Sequence, residues 1–520
     1  MRWAVLAAAM LVVRAAGATG FTDTGEDLVP RDKFDYRLDG YLRVRGELLN
    51  DMDLNRGLTP SGHPLFPVDL TSPSNKTLYY WDSRLRTDLA VYAPGGTMAV
   101  KARVDVLDNI TMGSDAAGIP SASTRYEQGP RTFRIKWAYG EVLTPIGLFA
   151  AGRMGNHWGM GMLANSGDCL DCDTGDAADR LAWIAPMLGH IFALAYDFSA
   201  TEVTAPVGGG QSYVDVVPSA DVRTVTAAFL RYHGDVALAR RRKAAKTTFE
   251  YGAYLSHRWQ QNDVPSTYLP TDQAVPITAA QVMFRGYDAT AIDAWARLTT
   301  RALRVEAEGA YLNATAQQGS LVPGVLYNRP VTSNQFGAVL ESEVAEPDGN
   351  IGGGLDLGYA SGDDSPGFGA FVPIGAPLAK PGDLTGAKAD PPFDTHVNNF
   401  QFSPDFHIDR ILFREIIGTV TGAAYLRPHA RWTFARVGHG GFEAQVASVA
   451  SMAAYALSTP GGKLPLGVEV DPTLSYSNGD GFLVALEYGV LFPLAGLDNP
   501  VHHLSAQPAQ LARVRLNYVF

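Results

Sequence analysis

Cysteine is scarce in this sequence, and its position excludes several kinds of site. Cys169 and Cys172 are the only two cysteines among 520 residues, and both lie in the acidic segment GDCLDCDTGD. A structural metal site would need more soft ligands, and a thioredoxin-like redox motif would need a strand and a helix around it. We therefore expect a small loop disulfide between these two residues in an oxidising compartment.

The sequence also lacks an apolar run long enough for a membrane-spanning helix. Its most apolar stretch, residues 3–13, is shorter than the roughly 20 residues that such a helix needs. A short positive segment precedes this stretch, and the small-x-small site Ala16-Gly17-Ala18 follows it, which indicates a signal peptide over 1–18. We expect an exported protein that is cleaved after Ala18.

Linkers, low-complexity runs and shifts in composition are missing as well. The chain is 46% hydrophobic, 10% aromatic and 18% charged, with 54 glycines and 32 prolines. This composition fits neither a disordered chain nor a helical bundle. The length alone suggests several domains, but nothing in the composition divides the chain.

What the sequence has in abundance is alternation. The segment YRLDGYLRVRGELL, residues 36–49, carries mostly apolar residues at one parity and mostly charged residues at the other. Residues 81–93 and 97–106 repeat this pattern. Successive side chains of a strand point to opposite faces. A globular sheet could expose its charged face to solvent, whereas a transmembrane barrel would turn that face toward a wet lumen and its apolar face toward lipid.

The pattern recurs along the whole chain, and the connections favour the barrel. Strands are expected near residues 34–49, 78–93, 97–108, 131–143, 147–154, 179–186, 190–198, 221–232, 247–261, 286–299, 302–314, 333–344, 351–361, 425–437, 442–455, 466–476, 482–493 and 509–520. Short turns such as APGG and SNGDG alternate with long loops rich in Asp, Gly and Pro, which is typical of outer-membrane barrels. One basic segment, HGDVALARRRKAAK at 233–246, is unusually long for the short-turn side.

The sequence thus predicts an all-β fold, a transmembrane antiparallel up-and-down β-barrel of about 18 strands over 34–520. Its turns would be short on the periplasmic side and its loops long on the extracellular side, with 19–33 as a periplasmic N-terminal segment. The segment 362–424 contains the apolar stretch ILFREII, but one more strand would break the even count. We expect it to be a long extracellular or lumen-folding loop, and the best candidate for a constriction or lid.

Aromatic residues mark the strand ends and the end of the chain. Those expected to form girdles at the two membrane interfaces are Tyr36, Trp81, Trp137, Trp259, Trp432 and Phe492. The last strand carries Val514, Leu516, Tyr518 and Phe520 on its lipid-facing parity. A terminal aromatic after such a strand resembles the signal read by the bacterial outer-membrane assembly machinery. We therefore expect localisation in the bacterial outer membrane, with that machinery, membrane lipid and lipopolysaccharide as partners.

Three phrases carry a resemblance to a known family. LGVEVDPTLSYSNGDGFLVALEYGVLFPLAGLD, residues 466–498, resembles the closing hairpin of alginate-export-type outer-membrane porins. GRMGNHWGMGML and LGYASGDDSPGFG are similar to phrases in a group of Gram-negative outer-membrane barrels. The resemblance implies an eighteen-strand barrel whose arginine-lined lumen passes a polyuronate. The exporter's pore arginines do not match this chain one by one, so its substrate does not carry over.

The charged parity supplies the candidate selectivity residues. They are Arg37, Arg43, Arg45, Arg84, Arg86, Lys101, Arg103, Arg134, Arg427, Arg431, Arg513 and Arg515, with Lys136 and Arg153 assigned to the same face. Closure of the barrel would bring the last strand beside the first, and guanidinium groups bind carboxylate or phosphate in bidentate fashion. The alternative is structural, because acids such as Asp82, Asp88 and Asp105 share the inward parity and could neutralise the arginines in ladders.

No arrangement of residues indicates catalysis. YSNGDG, from Tyr476, resembles part of the barrel phospholipase motif but lacks a nearby histidine to activate a serine. The single His157 and Met160 of NHWGMG favour packing over a metal site, and the acidic loops GDCLDCDTGDAAD and SGDDSPG are assigned to the outside of the barrel.

We therefore expect no enzyme, no cofactor, no metal and no nucleic-acid partner. The sequence predicts a channel for the passive passage of small or polymeric, anionic solutes. A barrel-anchored surface structural or ligand-binding protein is the alternative, and an outer-membrane enzyme is the third.

Overall fold

The structure is a computed structural model that describes residues 21–22, 24–25, 28–72, 74–112, 133–199, 204–207, 212–264, 278–322, 324–347, 349–372 and 375–520. Eighteen strands form one antiparallel sheet, and each pairs with its neighbours in chain order. The last strand pairs with the first, from Tyr41 opposite Val519 to Asn50 opposite Gln510, so the sheet closes into a barrel. The predicted fold class is confirmed, while the signal peptide at 1–18 lies outside the described residues.

The wall strands agree with the predicted ones to within a few residues. They are β1 (Asp35–Asn50), β2 (Thr77–Tyr92), β3 (Met98–Thr111), β4 (Phe133–Thr144), β5 (Gly147–Gly155), β6 (Ala177–Met187), β7 (His190–Ser199), β10 (Val222–Arg231), β11 (Thr248–Asp263), β12 (Met283–Thr299), β13 (Leu303–Ala316), β14 (Val331–Ala345), β15 (Ile351–Ala360), β16 (Ala423–Val437), β17 (Gly440–Ala453), β18 (Pro465–Ser477), β19 (Phe482–Pro493) and β20 (Ala509–Val519). Two short strands, β8 (Thr204–Val207) and β9 (Ser212–Asp215), form a separate hairpin.

The outer face of the wall is apolar and the inner face is polar, as a surrounding lipid environment requires. On β1, Leu38 is 60% exposed on the outer face, whereas Arg43 is fully buried on the inner face. Outward-facing Val100 and Ile292 are likewise exposed. A water-soluble barrel would bury its apolar face instead, so this alternation excludes the soluble sandwich.

The two ends of the barrel also differ. Short turns and the helix α1 (Asp235–Lys243) lie at one end, beside the start of β1 and the end of β20. The long connections leave the other end, which we call the long-loop end. Within the described residues, no helix is long and apolar enough to cross a membrane.

The main hydrophobic core lies inside the barrel rather than between layers. The loop 361–422 folds inward and buries Phe400, Phe402 and Phe413, each at most 2% exposed. These residues share one cluster with inward-facing wall residues such as Tyr425 and Leu511. The apolar stretch ILFREII is not a wall strand, since residues 412–417 form a π-helical turn within this core.

Four of the sequence-based placements were wrong. The acidic segment SGDDSPG was assigned to the outside, but it begins the infolded loop 361–422, where the Asp363 carboxylate is buried and accepts the backbone N–H of Asn398 at 2.7 Å. The acidic loop around Cys169 was assigned to the outside, but its aspartates bind lumen arginines, because the guanidinium groups of the inner wall attract their carboxylates. Trp137 faces the lumen rather than the membrane, because a bulge at Arg103 and Val104 shifts the register of β4. Arg153 lies on the outer face and pairs with Asp179 at 2.7 Å, since the buried Ala150 and Met154 belong to the other parity of β5.

Candidate functional site

The inner wall of β1 to β3 holds arginines whose partners are mainly acidic. Arg45 Nε lies 2.8 Å from Asp82 Oδ2, and Arg86 donates to both oxygens of Asp105 at 2.8 Å. Each of these contacts joins neighbouring strands. The structure therefore forms the charge ladders that the sequence left open as an alternative.

The same arginines also bind the loop between β5 and β6. Arg43 Nη2 lies 2.9 Å from Asp173 Oδ1, and Arg84 Nη1 donates to the carbonyl oxygen of Cys172 at 2.7 Å. Arg103 joins Asp88 on the wall at 2.6 Å and Asp168 on the loop. The wall thus holds the loop 156–176 inside the barrel.

A disulfide joins Cys169 and Cys172 at the centre of this contact. It encloses Asp171, whose carboxylate forms ion pairs with the guanidinium groups of Arg45, Arg414 and Arg513. Burial opposes ionisation, but the surrounding arginines hold the pKa of Asp171 well below its usual range. This loop is therefore an anionic insert in a cationic part of the wall.

The two infolded loops are joined to each other by Asp405. Its carboxylate accepts the backbone N–H of Asp173 at 2.6 Å, of Thr174 at 3.1 Å and of Gly175 at 2.6 Å, and also the Thr174 hydroxyl at 2.7 Å. Arg414 adds a second link, with Nη2 3.1 Å from Asp173 Oδ2. Movement of either loop therefore strains the other.

The loop 361–422 is fixed to the wall at the start of its π-helical turn. Glu469 on β18 accepts the N–H groups of Arg410 and Ile411 at 2.8 Å and of Leu412 at 3.0 Å. Asp409 accepts the N–H of Phe413 at 2.9 Å. Burial raises the pKa of Asp409 to about 7, because a charged carboxylate is costly in this apolar setting.

The segment NHWGMG anchors the other loop on the opposite wall. Trp158 is fully buried, its Nε1 donates to Asp293 at 2.9 Å, and its ring lies 5.3 Å from that of Tyr254. Glu308 accepts the backbone N–H of Met160. These contacts are packing and anchoring, the role that the sequence favoured.

The N-terminal segment enters the lumen from the short-turn end. Phe21 is 4% exposed and packs among inward residues of β4 to β7. The guanidinium carbon of Arg180 lies 5.4 Å from the centre of its ring. Gly25 donates its N–H to Glu141 at 3.0 Å. The described part of 19–33 therefore occupies the barrel mouth and is not free in the periplasm.

A more accessible set of charges lines β13 to β17 toward the short-turn end. Arg304 Nη2 lies 3.0 Å from Glu341 Oε2, with side chains 27% and 33% exposed. Arg431 Nε lies 2.9 Å from Glu343 Oε1, with side chains 31% and 25% exposed. Here charges of both signs face water, in contrast to the buried contacts around the disulfide loop.

The remaining candidates also have acidic neighbours. Their contacts are Arg37 with Asp39, Lys101 with Glu141, Arg134 with Asp108, Arg427 with Asp356, Arg513 with Glu47 and Arg515 with Glu487. Among the described residues, no group of three or more His, Cys, Asp or Glu side chains is arranged to hold a metal ion.

Sequence reasoning missed Asp405, Asp409, Arg414 and Glu469. The first three lie in a loop that has no strand pattern, so only the apolar ILFREII hinted that this loop enters a core. Glu469 lies on a predicted strand, and the strand pattern does not show what an inward-facing residue binds. At the chain end, Tyr518 and Phe520 are exposed on the outer face, and Gly40 donates its N–H to the Phe520 carbonyl oxygen at 3.0 Å. Recognition of this end by an assembly machinery stays a prediction.

Among known proteins, this chain is similar only to solved structures. No protein-family model and no curated protein matches the chain. The outer-membrane protein opdK from Pseudomonas aeruginosa matches with 9% identity and a TM-score of 0.45, over 94% of this chain and 98% of that chain. OccAB2 from Acinetobacter baumannii matches with 11% identity and a TM-score of 0.41, over 93% and 98%.

A BenF-like porin from Pseudomonas fluorescens matches with 9% identity and a TM-score of 0.43, over 93% of this chain and 98% of that chain. Likenesses of this size say nothing about what this chain transports. They show no alginate-export family either, so that resemblance stays a prediction.

Proposed function

We propose that this chain is an outer-membrane channel for the passive passage of small solutes. One observation carries the proposal: a closed barrel with an apolar outer face contains a charged lumen that two loops cross and narrow. Infolded loops turn a wide barrel into a constriction, and charged side chains keep the remaining space hydrated. The short-turn end then faces the periplasm, and the long-loop end faces the cell exterior.

The contents of the lumen favour small solutes over polymers. The disulfide loop, the loop 361–422 and Phe21 all occupy space that a polymer would have to cross. An unpaired arginine wall would give a strong preference for anions. The arginines of this wall have acidic partners, so we do not expect such a preference. We expect weak charge selectivity, set by the more accessible mixed charges of β13 to β17.

A surface structural or ligand-binding role is the second candidate, because the same ion pairs could close the lumen completely. The two functions differ in permeability. If the chain is a channel, liposomes that contain the refolded protein should swell in solutions of small sugars and amino acids, but not in solutions of polysaccharides.

A variant with 362–421 replaced by a short turn should admit larger solutes. Such a turn can be built because Tyr359 lies opposite Ala424 in the β15–β16 register. If neither protein admits small solutes, the channel is rejected in favour of the second candidate.

A further inference from the structure

The helix α1 is an unusual insertion at the short-turn end of the barrel. Other connections at this end are tight turns, such as the one between β16 and β17, whereas 232–247 contains a nine-residue helix. None of the residues of α1 is buried, and Val236 is 66% exposed. Burial of an apolar face therefore does not explain why this helix is present.

Two of its arginines hold the helix along the rim of the barrel. Arg241 Nε donates to Thr248 Oγ1 at 2.7 Å. Arg242 donates to the carbonyl oxygens of Arg301 at 2.9 Å and Ala345 at 2.6 Å. These acceptors lie at the ends of β11, β12 and β14, so the helix follows the rim.

Three further cations of the segment lie at the protein surface. Arg240, Lys243 and Lys246 are exposed and three residues apart, which places them on one side of the helix and its end. The N–H of Lys246 donates to the carbonyl oxygen of Arg241 at 3.0 Å, which fixes the chain after the last turn. Cations at a helix C-terminus also offset its dipole, but that effect needs neither three of them nor this exposure.

The position of the helix matches the edge of a bilayer. The outward-facing Phe249, Val344 and Ile351 at the same end are 53%, 58% and 70% exposed, so the apolar band ends beside α1. Arg231, the last residue of β10, is exposed at the same edge. Basic groups at this level lie where lipid phosphates lie, and they attract anionic headgroups.

We propose that Arg240, Lys243 and Lys246 bind the phosphate of anionic phospholipids, such as phosphatidylglycerol, in the leaflet at the short-turn end of the barrel. The helix then fixes this side of the barrel against the headgroups. This role depends on the membrane location and not on transport, so it stands even if the lumen proves closed.

The test compares two triple variants of the full-length mature protein in detergent micelles. The first is Arg240→Gln/Lys243→Gln/Lys246→Gln, which keeps the anchoring Arg241 and Arg242. The control, Arg329→Gln/Lys380→Gln/Lys463→Gln, removes the same charge from exposed positions at the long-loop end. Each protein is titrated with phosphatidylglycerol and with phosphatidylcholine, and native mass spectrometry counts the bound lipids. Heat-modifiable migration on gels checks the fold.

We expect the first variant to lose at least about tenfold in affinity for phosphatidylglycerol, since one cation near an anionic surface contributes about a factor of five. The control and the binding of phosphatidylcholine should not change. Equal losses in both variants, or no loss in the first, would overturn the proposal.

Two competing anions test whether these cations bind a soluble anion or an acidic polypeptide and not a lipid. Inorganic phosphate at equal concentration should not displace the lipid from the wild-type protein. If it does, or if the first variant loses affinity for polyglutamate and keeps it for phosphatidylglycerol, the site serves a soluble anion or an acidic polypeptide, and the lipid proposal is wrong.

Discussion

One of the two links between the infolded loops, the one made by Asp405, can be removed without touching the barrel wall, while Arg414 stays paired with Asp173. Asp405 lies in the loop 361–422, and its carboxylate accepts four hydrogen bonds from residues 173–175 of the disulfide loop. Asp405→Ala removes all four, whereas Asp405→Asn keeps a weaker, neutral acceptor. We expect both variants to fold, because the strand ladders are unchanged.

The size of the effect follows from the geometry. A hydrogen bond to a charged group contributes about 1.5–3 kcal/mol, but water replaces part of what four bonds lose. A net loss of about 3 kcal/mol is therefore expected for Asp405→Ala, which raises the ratio of displaced to docked loops by about two orders of magnitude. Asp405→Asn should fall between Asp405→Ala and the wild type.

The assay is single-channel recording in planar bilayers. Displaced loops should appear as larger conductance or as frequent flicker between levels, in the order alanine, asparagine, wild type. The matched control is Asp69→Ala, because the Asp69 carboxylate accepts hydrogen bonds only from nearby residues of its own exposed loop. Identical conductance and noise in all four proteins would refute the claim that Asp405 holds the constriction.

Three further predictions concern the anchors of the lumen contents. Glu469→Gln should weaken the π-helical turn by about 2 kcal/mol, which predicts about 30-fold faster hydrogen exchange at 410–417; unchanged protection would contradict this. Phe21→Ala removes the ring from its apolar cluster, and higher conductance should follow as the N-terminal segment leaves the lumen; equal conductance would count against it.

The pKa of Asp409 is raised to about 7, so the folded loop favours the protonated form, and its stabilisation is lost as the pH rises from the unfolded value through about 7. Hydrogen exchange of 410–417 should therefore accelerate between about pH 4 and about pH 7, beyond the intrinsic chemical rate, and Asp409→Asn should abolish this change.

Strand number, strand positions and barrel closure could be predicted because period-two alternation depends only on neighbouring residues. Arg43 and Arg45 could be placed in the lumen by the same parity. The sequence placed Arg153 and Trp137 on the wrong faces of the wall. A bulge changes the face of Trp137, and the parity of β5 was assigned wrongly at Arg153. No short-range pattern reveals either feature.

The contents of the lumen could not be predicted, because they depend on contacts between distant parts of the chain. Asp171 meets Arg414 and Arg513, which lie hundreds of residues further along the sequence. The acidic residues around the two cysteines resembled a solvated outer loop. Only the closed wall, with its arginines turned inward, gives them a reason to enter the barrel.

The most direct test of the central claim is the single-channel current of the refolded mature protein in a planar bilayer under a salt gradient. The account predicts discrete open steps with a reversal potential close to zero, and larger steps when a short turn replaces 362–421. No steps in either protein would contradict a channel function, and a strongly anion-selective reversal potential would contradict the assignment of the lumen arginines to ion pairs.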